Sequence, residues 1–447
     1  MGKIAYHQSL DTWERTLKGG QAKLPTLNDW LNTLVADRGM KIISSSDLVN
    51  KVQRKQSRRS QDFVDQMKPP PPMKDNLTPV SMFDPSKTVY IQPISLLHSI
   101  GRITTPPVPN LADLSSTWAI IRYIWAFEPL HGIRRPLLLS DIARQIDFHQ
   151  KVLLSDEIGM GIAYYIMTEF FHTTEVIDVS IALQELPVEL QHSTSPDFLF
   201  FTDLNQGVCV VECKGNQSSY PATIDQLRRG TEQVPSLIFQ DGRKVEALVI
   251  ATCMLTSGTN IYIIDPVPVD DSDYNSYDDD YRRKTEKIGP SQWRVTNDKL
   301  FTSDSILFSR AKTLSYAGAD IEAIAQLPSI HQEKWAKYVR KPTEETKVHT
   351  ELGDFSGVRD IIRTIDGLTV EIYRGILDEL RESLYVPSFN DKVRTEKGSM
   401  RICPSKSFTS QFEERAYYTE LEESITQIIN RSICQDGTIF QLTISEA

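Results

Sequence analysis

Three residues in the middle of the chain, Asp197, Glu212 and Lys214, are of the types that metal-dependent phosphate chemistry uses. Two carboxylates held side by side repel each other and raise each other's pKa unless a cation lies between them. Their hard oxygen atoms suit Mg²⁺ or Mn²⁺, and such a metal can hold a phosphate and lower the pKa of a bound water. A lysine beside them could orient that water or neutralise the phosphate. The residue types therefore predict a site for Mg²⁺ or Mn²⁺, provided that the fold brings them together.

A predicted β-hairpin would bring these residues together. The apolar and β-branched runs 198–201 and 208–211 flank a turn-forming segment, so both runs are predicted strands. Facing positions in an antiparallel pair have a constant sum, and a turn centred midway between the runs places Asp197 opposite Glu212, with Cβ atoms about 5 Å apart. Side chains alternate along a strand, so the lysine shares the face of the glutamate. Cys213 points away and can offer a metal only its backbone carbonyl.

These residues resemble the signature of the PD-(D/E)XK phosphodiesterase superfamily, which includes restriction endonucleases, RecB-like nucleases and Holliday-junction resolvases. Pro196-Asp197 and Glu212-Cys213-Lys214 match the signature residue by residue. The resemblance spans residues from about 154 to 255 and implies an α/β fold with a restriction-endonuclease-like core. That core is a helix, a three-stranded meander, a second helix and a fourth strand. The resemblance also implies that the two carboxylates and the cysteine carbonyl hold the metal, while the lysine positions the attacking water.

The sequence offers these elements in the order that the family requires. Ser155 is predicted to cap the first helix, with acidic residues in the first turn. Pro221 is predicted to begin the second helix, and the apolar run EALVIATCML predicts a buried strand. The predicted elements are a helix at 155–171, a strand at 176–186, the hairpin, a helix at 221–234, a strand at 246–255 and a further strand at 261–264.

Two further roles follow from the resemblance. Many family members place a glutamate of the first helix at the metal site, and Glu157 or Glu169 could fill that position, of which Glu157 is preferred. The second helix often directs a glutamine or a basic residue at the phosphate, and Gln226 and Gln233 lie on one helical face. We assign that role to Gln226. The RecB-like branch has Gln-x-x-x-Tyr at this place, whereas this chain has Gly230, so the sequence does not match that branch.

Composition is typical of soluble globular proteins. The 447 residues are enough for two or three domains, with 40% hydrophobic and 24% charged residues. No apolar run is long enough to span a membrane, and the N-terminus lacks the apolar core of a signal peptide. Five cysteines without a Cys-x-x-Cys pair indicate neither a disulfide framework nor a zinc site. The sequence therefore predicts a cytoplasmic protein with no membrane partner.

The net charge of −10 argues against a nucleic-acid partner, because cations that displace counterions from phosphates drive such binding. The argument is not decisive, since a nuclease can concentrate its basic residues in one groove. One basic run, KVQRKQSRR at 51–59, is followed by four prolines at 69–72. The run is either a solvated helix end that leads into a stiff linker, or a basic arm that contacts a phosphate backbone.

Four regions follow from these patterns. Apolar stripes at helical spacing in 370–384 and 421–429 predict helices that are core or that bury a partner, so a homodimer or a helper subunit is open. The predicted regions are a mainly helical N-terminal region at 1–150 with a basic and Pro-rich linker near 51–75, the PD-(D/E)XK core at 151–265, an acidic linker at 266–290, and a mainly helical C-terminal domain at 291–447.

The sequence thus predicts a Mg²⁺-dependent endonuclease of the PD-(D/E)XK type. The resemblance favours DNA over RNA as the substrate, in a setting of restriction, phage defence or repair. The main alternative is a catalytically inactive subunit with the same fold that binds nucleic acid or serves as a scaffold. A further alternative is an interaction protein built from the C-terminal helices.

Overall fold

The computed structural model describes most of the chain. The hairpin turn (203–206), the proline run (69–72) and all but the first residue of the predicted acidic linker (266–290) lie outside the described residues. The described ranges are 33–65, 77–84, 87–106, 117, 122–129, 134–190, 195–202, 207–234, 236–242, 244–266, 292–336, 345–363, 368–385, 417–423 and 427–446.

A mixed nine-stranded sheet forms the centre of the described fold. The strands up to residue 295 are β1 (Arg38–Ile43), β2 (Leu77–Thr78), β3 (Thr88–Ile91), β4 (Arg135–Pro136), β5 (Thr173–Asp178), β6 (Val188–Leu190), β7 (Phe198–Thr202), β8 (Gly207–Asn216), β9 (Ser236–Ile238), β10 (Glu246–Leu255), β11 (Gly258–Pro266) and β12 (Gln292–Val295). The main order is β3-β1-β11-β10-β8-β7-β5, with β2 paired to β11 and β4 to β1. Strands β6, β12 and β9 form a separate small sheet.

The middle of the large sheet contains the predicted meander. Strands β5, β7 and β8 pair antiparallel in sequence order, and β10 lies parallel to β8. In the hairpin, Phe198 faces Val211 and Phe201 faces Val208, which is the register predicted from the position of the turn. The predicted strand at 246–255 coincides with β10, and the predicted strand at 261–264 lies within β11.

Helices cover both faces of this sheet, which makes the fold α/β. Long helices pack on the face that carries Val210 and on the opposite face, which carries Val211. The long helices on the Val210 face are α1 (Ser46–Asp65) and α6 (Tyr220–Gln233). The remaining helices of this part are α2 (Pro93–Thr104) and α4 (Phe148–Phe171) on the Val211 face, with the short α3 (Asp141–Gln145) and α5 (Val179–Glu185).

The helix that precedes the meander begins earlier than predicted. Asp147 caps α4 by accepting hydrogen bonds from the amides of His149 and Gln150, at 2.9 and 3.2 Å. Ser155, the predicted cap, lies inside the helix, where its hydroxyl donates to the carbonyl of Lys151 at 2.7 Å. The predicted boundary near residue 150 therefore falls within α4.

The predicted strand at 176–186 is mostly helix. Strand β5 ends at Asp178, and α5 follows it directly. Val179 and Ala182, on one face of α5, are buried in the apolar cluster on the Val210 face of the sheet. The error arose because an apolar run of this length fits a strand and a short buried helix equally well.

The prediction of a mainly helical C-terminal domain is wrong for the described part of residues 346–446, which forms a six-stranded antiparallel sheet in the order β13-β14-β15-β18-β17-β16. Helices dominate only the preceding segment, up to residue 336. The helices are α7 (Asp298–Tyr316), α8 (Asp320–Gln326), α9 (Ser329–Ala336) and α10 (Asp378–Tyr385), and the strands are β13 (Thr346–Thr350), β14 (Gly353–Arg363), β15 (Leu368–Leu377), β16 (Tyr417–Glu423), β17 (Gln427–Cys434) and β18 (Thr438–Glu446).

The C-terminal sheet packs on the Val211 side of the fold through a buried ion pair. Arg102 of α2 binds Asp436, in the turn between β17 and β18, at 2.8 Å, and the arginine side chain is fully buried. Tyr164 of α4 donates a hydrogen bond to the same carboxylate at 3.2 Å. The two parts of the chain therefore share one interior.

The N-terminal region is also less helical than predicted. Strands β1, β3 and β4 extend the central sheet, so this region is part of the same layer as the meander. The basic run 51–59 lies within α1. None of the described helices combines the length and the apolar character needed to cross a membrane.

Candidate active site

The hairpin brings Asp197, Glu212 and Lys214 together, and we call these three residues the hairpin cluster. Asp197 immediately precedes β7, so continuing the β7–β8 register by one residue places it opposite Glu212. The amide of Cys213 donates a hydrogen bond to Asp197 Oδ2 at 2.7 Å. Lys214 Nζ forms an ion pair with Glu212 Oε1. The register and these two contacts together connect both carboxylates and the lysine.

Glu212 is fully buried, with 0% of its surface exposed. Among the described residues, neither of its carboxylate oxygens receives a hydrogen bond of normal geometry, so the ion pair with Lys214 is the main compensation for burial. Helix α6 covers the side chain closely at Gly230, where an added Cβ would lie 3.3 Å from Glu212 Cγ and 2.5 Å from Val249 Cγ1. The absence of a side chain at Gly230 therefore allows α6 to close over the carboxylate.

The pKa values in the hairpin cluster reflect this burial. Burial raises the pKa of Glu212 to about 8, and the neighbouring Asp197 adds to the shift. Burial also raises the pKa of Asp197, although the hydrogen bond from the Cys213 amide acts in the opposite direction. Burial would lower the pKa of Lys214, but attraction to the two carboxylates outweighs it and raises the pKa. The two carboxylates thus resist being ionised together without an additional cation.

The position of Asp197 depends on contacts from a distant part of the chain. Its backbone carbonyl accepts a hydrogen bond from the amide of Val179 at 3.1 Å. Asp178, which precedes Val179 in the sequence, accepts a hydrogen bond from Lys312 of α7 at 2.8 Å. The same ammonium donates to the carbonyl of Ile103 at 2.8 Å. Lys312 is buried, so this contact ties α7 to the segment that holds Asp197.

Helix α4 contacts the hairpin cluster beside Lys214. An added Cβ at Gly215 would lie only 1.8 Å from the carbonyl oxygen of Ser155. The next residue, Asp156, is exposed at its surface, and its pKa is raised because desolvation beside the sheet and the charge of Asp197 outweigh the opposing effect of Lys214. Asp156 is therefore the α4 carboxylate that is electrostatically coupled to the hairpin cluster, and the sequence prediction did not include it.

Glu157, the carboxylate that the sequence analysis preferred, faces a different neighbourhood. Its Oε1 lies 3.9 Å from a guanidinium nitrogen of Arg122. Its charge also acts on Tyr123, whose pKa is raised mainly by burial and further by the glutamate. One residue along a helix is a rotation of about 100°, so adjacent acidic residues point to different neighbours.

Gln226 lies at the end of β8 next to the hairpin cluster. Its side-chain nitrogen donates to the carbonyl of Gly215 at 3.0 Å, and its side-chain oxygen accepts from Asn216 at 2.7 Å. These bonds connect α6 to the two residues that follow Lys214. The structure thus places Gln226 beside the lysine, with its amide already engaged by the protein.

The hairpin cluster has donors that fit a hard divalent cation. Asp197 and Glu212 supply carboxylate oxygens on one face of the hairpin, and the Cys213 thiol lies buried on the other face, which leaves only its carbonyl as a donor. Mg²⁺ is commonly held by one or two carboxylates together with waters and substrate phosphate. Within the described ranges, no group of three or more His, Cys, Asp and Glu side chains is arranged to hold a metal.

Metal binding should depend on pH because Glu212 must lose its proton first. With a pKa of about 8 for this carboxyl, apparent affinity for Mn²⁺ should rise about tenfold per pH unit below 8 and level off above it. Titration calorimetry at several pH values from below 7 to above 8 measures this slope. The Glu212→Gln variant serves as the control and should lose the pH dependence together with the affinity. An affinity for wild type that is flat across this range would contradict the assignment.

Comparison of the chain with protein-family models, with curated proteins and with solved structures finds no match.

Proposed function

We propose that the protein is a divalent-metal-dependent nuclease that hydrolyses phosphodiester bonds of DNA. The observation that carries the proposal is the hairpin cluster, in which the β7–β8 register, a hydrogen bond and an ion pair join Asp197, Glu212 and Lys214. Carboxylates and a lysine in contact on one buried hairpin are the groups that metal-assisted phosphate hydrolysis requires.

The order of elements around the hairpin cluster supports a restriction-endonuclease-like core. Helix α4 is followed by the antiparallel strands β5, β7 and β8, then by α6 and by β10 parallel to β8. These elements follow the order of helix, meander, helix and strand that the resemblance to PD-(D/E)XK nucleases implies, with α5 and β6 inserted between β5 and β7 and β9 inserted before β10. Among the other elements, β1, β3, β4 and β11 extend the sheet, and α1 and α2 cover its two faces.

Each residue of the site has a role that its contacts support. Asp197 and Glu212, with the Cys213 carbonyl, would hold Mg²⁺ or Mn²⁺, which when bound polarises the phosphate and activates water. Lys214 remains protonated because its pKa is raised, so it donates a hydrogen bond to the attacking water or to a phosphate oxygen. Gln226 keeps the end of β8 fixed through Gly215 and thereby positions the lysine.

A plasmid assay tests the proposal. Purified protein should convert supercoiled DNA to nicked and linear forms in the presence of Mg²⁺ or Mn²⁺, and EDTA should stop the reaction. Linear duplex DNA, single-stranded DNA and RNA, assayed under the same conditions, distinguish the substrate classes. A folded protein that cleaves none of these in either metal would contradict the proposal.

Conservative variants can distinguish the roles of the two adjacent acidic residues of α4, Asp156 and Glu157. Because Asp156 is coupled to Lys214 and Asp197, Asp156→Asn should lower the cleavage rate roughly 10- to 100-fold, as loss of a supporting group at a metal site does. Glu157→Gln should leave the rate nearly unchanged, because the ion pair of Glu157 is with Arg122 and its charge acts on Tyr123. Initial rates of plasmid nicking measure both. The reverse ranking would assign the role to Glu157 instead.

The ion pair between Lys214 and Glu212 favours one second candidate, a subunit with the same fold that binds nucleic acid without cutting it. This pair compensates the buried carboxylate without any metal. The candidate predicts salt-sensitive binding to nucleic acid and no cleavage in any divalent metal. Binding that persists while cleavage is absent would therefore favour it over the nuclease.

A further inference from the structure

The basic run of the sequence lies on α1, which packs firmly against α6. Leu48 and Val52 of α1 are buried at 1% and 0% exposure in the apolar cluster beneath the two helices. Gln56 donates a buried hydrogen bond to Thr231 of α6 at 2.7 Å. Lys55 donates to the carbonyl of Pro221 at 3.0 Å. These contacts fix the rotation of α1 about its axis, and hence which of its basic residues face outward.

Three of the five basic residues in the run have acidic partners. Lys51 pairs with Asp47 at 2.6 Å within α1. Lys55 pairs with Asp225 of α6 at 3.9 Å, and Arg59 pairs with Glu232 of α6 at 4.0 Å. These two pairs hold α1 and α6 side by side.

The other two, Arg54 and Arg58, are exposed and have no ion-pair partner in the described part of the chain. They are four residues apart on one helix, so their side chains are neighbours with Cβ atoms about 6 Å apart. Two adjacent cations repel each other by a small amount unless an anion lies between them. In a chain of net charge −10, this pair is an outward-facing positive site, which we call the α1 ridge.

We propose that the α1 ridge binds the phosphate backbone of DNA, independently of sequence. Guanidinium groups match phosphate oxygens in geometry and are weakly hydrated, so arginine is well suited to this contact. The α1 ridge lies on the side of the sheet that carries Glu212, because α1 and α6 cover the same face. This proposal rests on the proposed nuclease function, which supplies the DNA.

The fold also fixes how far from the cut this contact lies. Helix α6 covers the hairpin cluster at Gly230, and α1 packs beside α6 on the same face of the sheet. Packed helices are about 8–10 Å apart, and one strand of duplex DNA has a phosphate about every 3.4 Å along the axis. A duplex that reaches both places would therefore contact the α1 ridge roughly three or more base pairs from the scissile phosphate.

Binding measured without catalysis tests the α1 ridge. Fluorescence anisotropy with a labelled duplex in EDTA gives the affinity of the full chain as a function of salt. The double variant Arg54→Gln/Arg58→Gln should bind about tenfold more weakly, and the slope of log affinity against log salt should fall by about 2, one unit for each lost phosphate contact. The loss should be the same for unrelated DNA sequences, because phosphates carry no sequence information.

A charge-matched control separates the α1 ridge from a general effect of net charge. Arg294→Gln/Lys299→Gln removes two exposed positive charges from β12 and the start of α7, and should leave affinity and salt slope unchanged. Equal losses in both double variants, or none in the ridge variant, would overturn the proposal. If the wild type cleaves DNA and the ridge variant binds DNA as tightly as the wild type, the nuclease function is supported and only the proposed role of the α1 ridge is refuted. A wild type that neither binds nor cleaves would overturn both.

Discussion

Lys214→Ala and Glu212→Ala should each lower metal-dependent cleavage of DNA by roughly 10³-fold, the scale of losing a principal charge-stabilising group. Removing Lys214 takes away the cation that pairs with the buried carboxylate and that we propose as the donor to the water or phosphate. Removing Glu212 takes away one of the two proposed metal ligands. Rates of plasmid nicking at saturating Mg²⁺ measure both losses.

The control for this prediction is a lysine and carboxylate pair of similar type elsewhere in the chain. Lys347 and Asp378 form an exposed ion pair at 2.9 Å on the C-terminal sheet. Lys347→Ala should leave the cleavage rate unchanged, since exposed pairs contribute little. Circular dichroism of each variant checks that the fold is retained. Cleavage that survives both changes in the hairpin cluster would refute the proposed site.

The hairpin could be predicted because its geometry is local. The turn position fixes the sum of facing residue numbers, and the register of Phe198 with Val211 follows without knowledge of the rest of the fold. The second helix and the fourth strand were predicted within one residue, since Pro221 near the helix start and the run at 246–255 are strong local signals. Local sequence signals are therefore sufficient to predict the hairpin, the second helix and the fourth strand.

The carboxylate from the first helix could not be assigned from sequence. From the sequence, Glu157 and Glu169 were the candidates and Asp156 was not. Asp156 and Glu157 are adjacent, and the rotation of α4 about its axis determines which of the two faces the hairpin cluster. That rotation is set by the close contact between Ser155 and Gly215, which are sixty residues apart in the sequence. A motif gives the type of residue to expect, but packing selects which of two neighbours faces the hairpin cluster.

The C-terminal sheet was mistaken for helices partly because its central strand β15 is buried on both faces. In β15, Ile372, Arg374 and Ile376 are fully buried on one face, while Tyr373 and Leu377 are buried on the other. A strand covered on both sides shows a continuous run of large residues, which also satisfies a helical spacing of three and four. Tyr373, Ile376 and Leu377, which belong to the stripe predicted to be core or partner surface, are therefore core.

Gly215→Ala should destabilise the protein by about 3 kcal/mol, at the upper end of the cost of overpacking. The added methyl group would lie 1.8 Å from the carbonyl oxygen of Ser155, and because that atom belongs to the backbone, α4 itself must move away from β8. Chemical denaturation measures the change in the free energy of unfolding. Because the same movement carries Asp156 away from Lys214, the variant should also lose cleavage under conditions where it is still folded.

Gly159→Ala is the matched control, because Gly159 contacts the same strand from α4. Its added Cβ would lie 3.1 Å from the Gly215 amide nitrogen, so the backbone of β8 would have to shift by only a few tenths of an ångström. Alanine gains about 1 kcal/mol of helix propensity over glycine inside a helix, so the net change should be within about 1 kcal/mol of zero. Equal costs for the two variants would mean that the contact between α4 and β8 is looser than its geometry indicates. A large cost for Gly215→Ala alone would identify this single close approach as the contact that brings the first helix to the hairpin cluster.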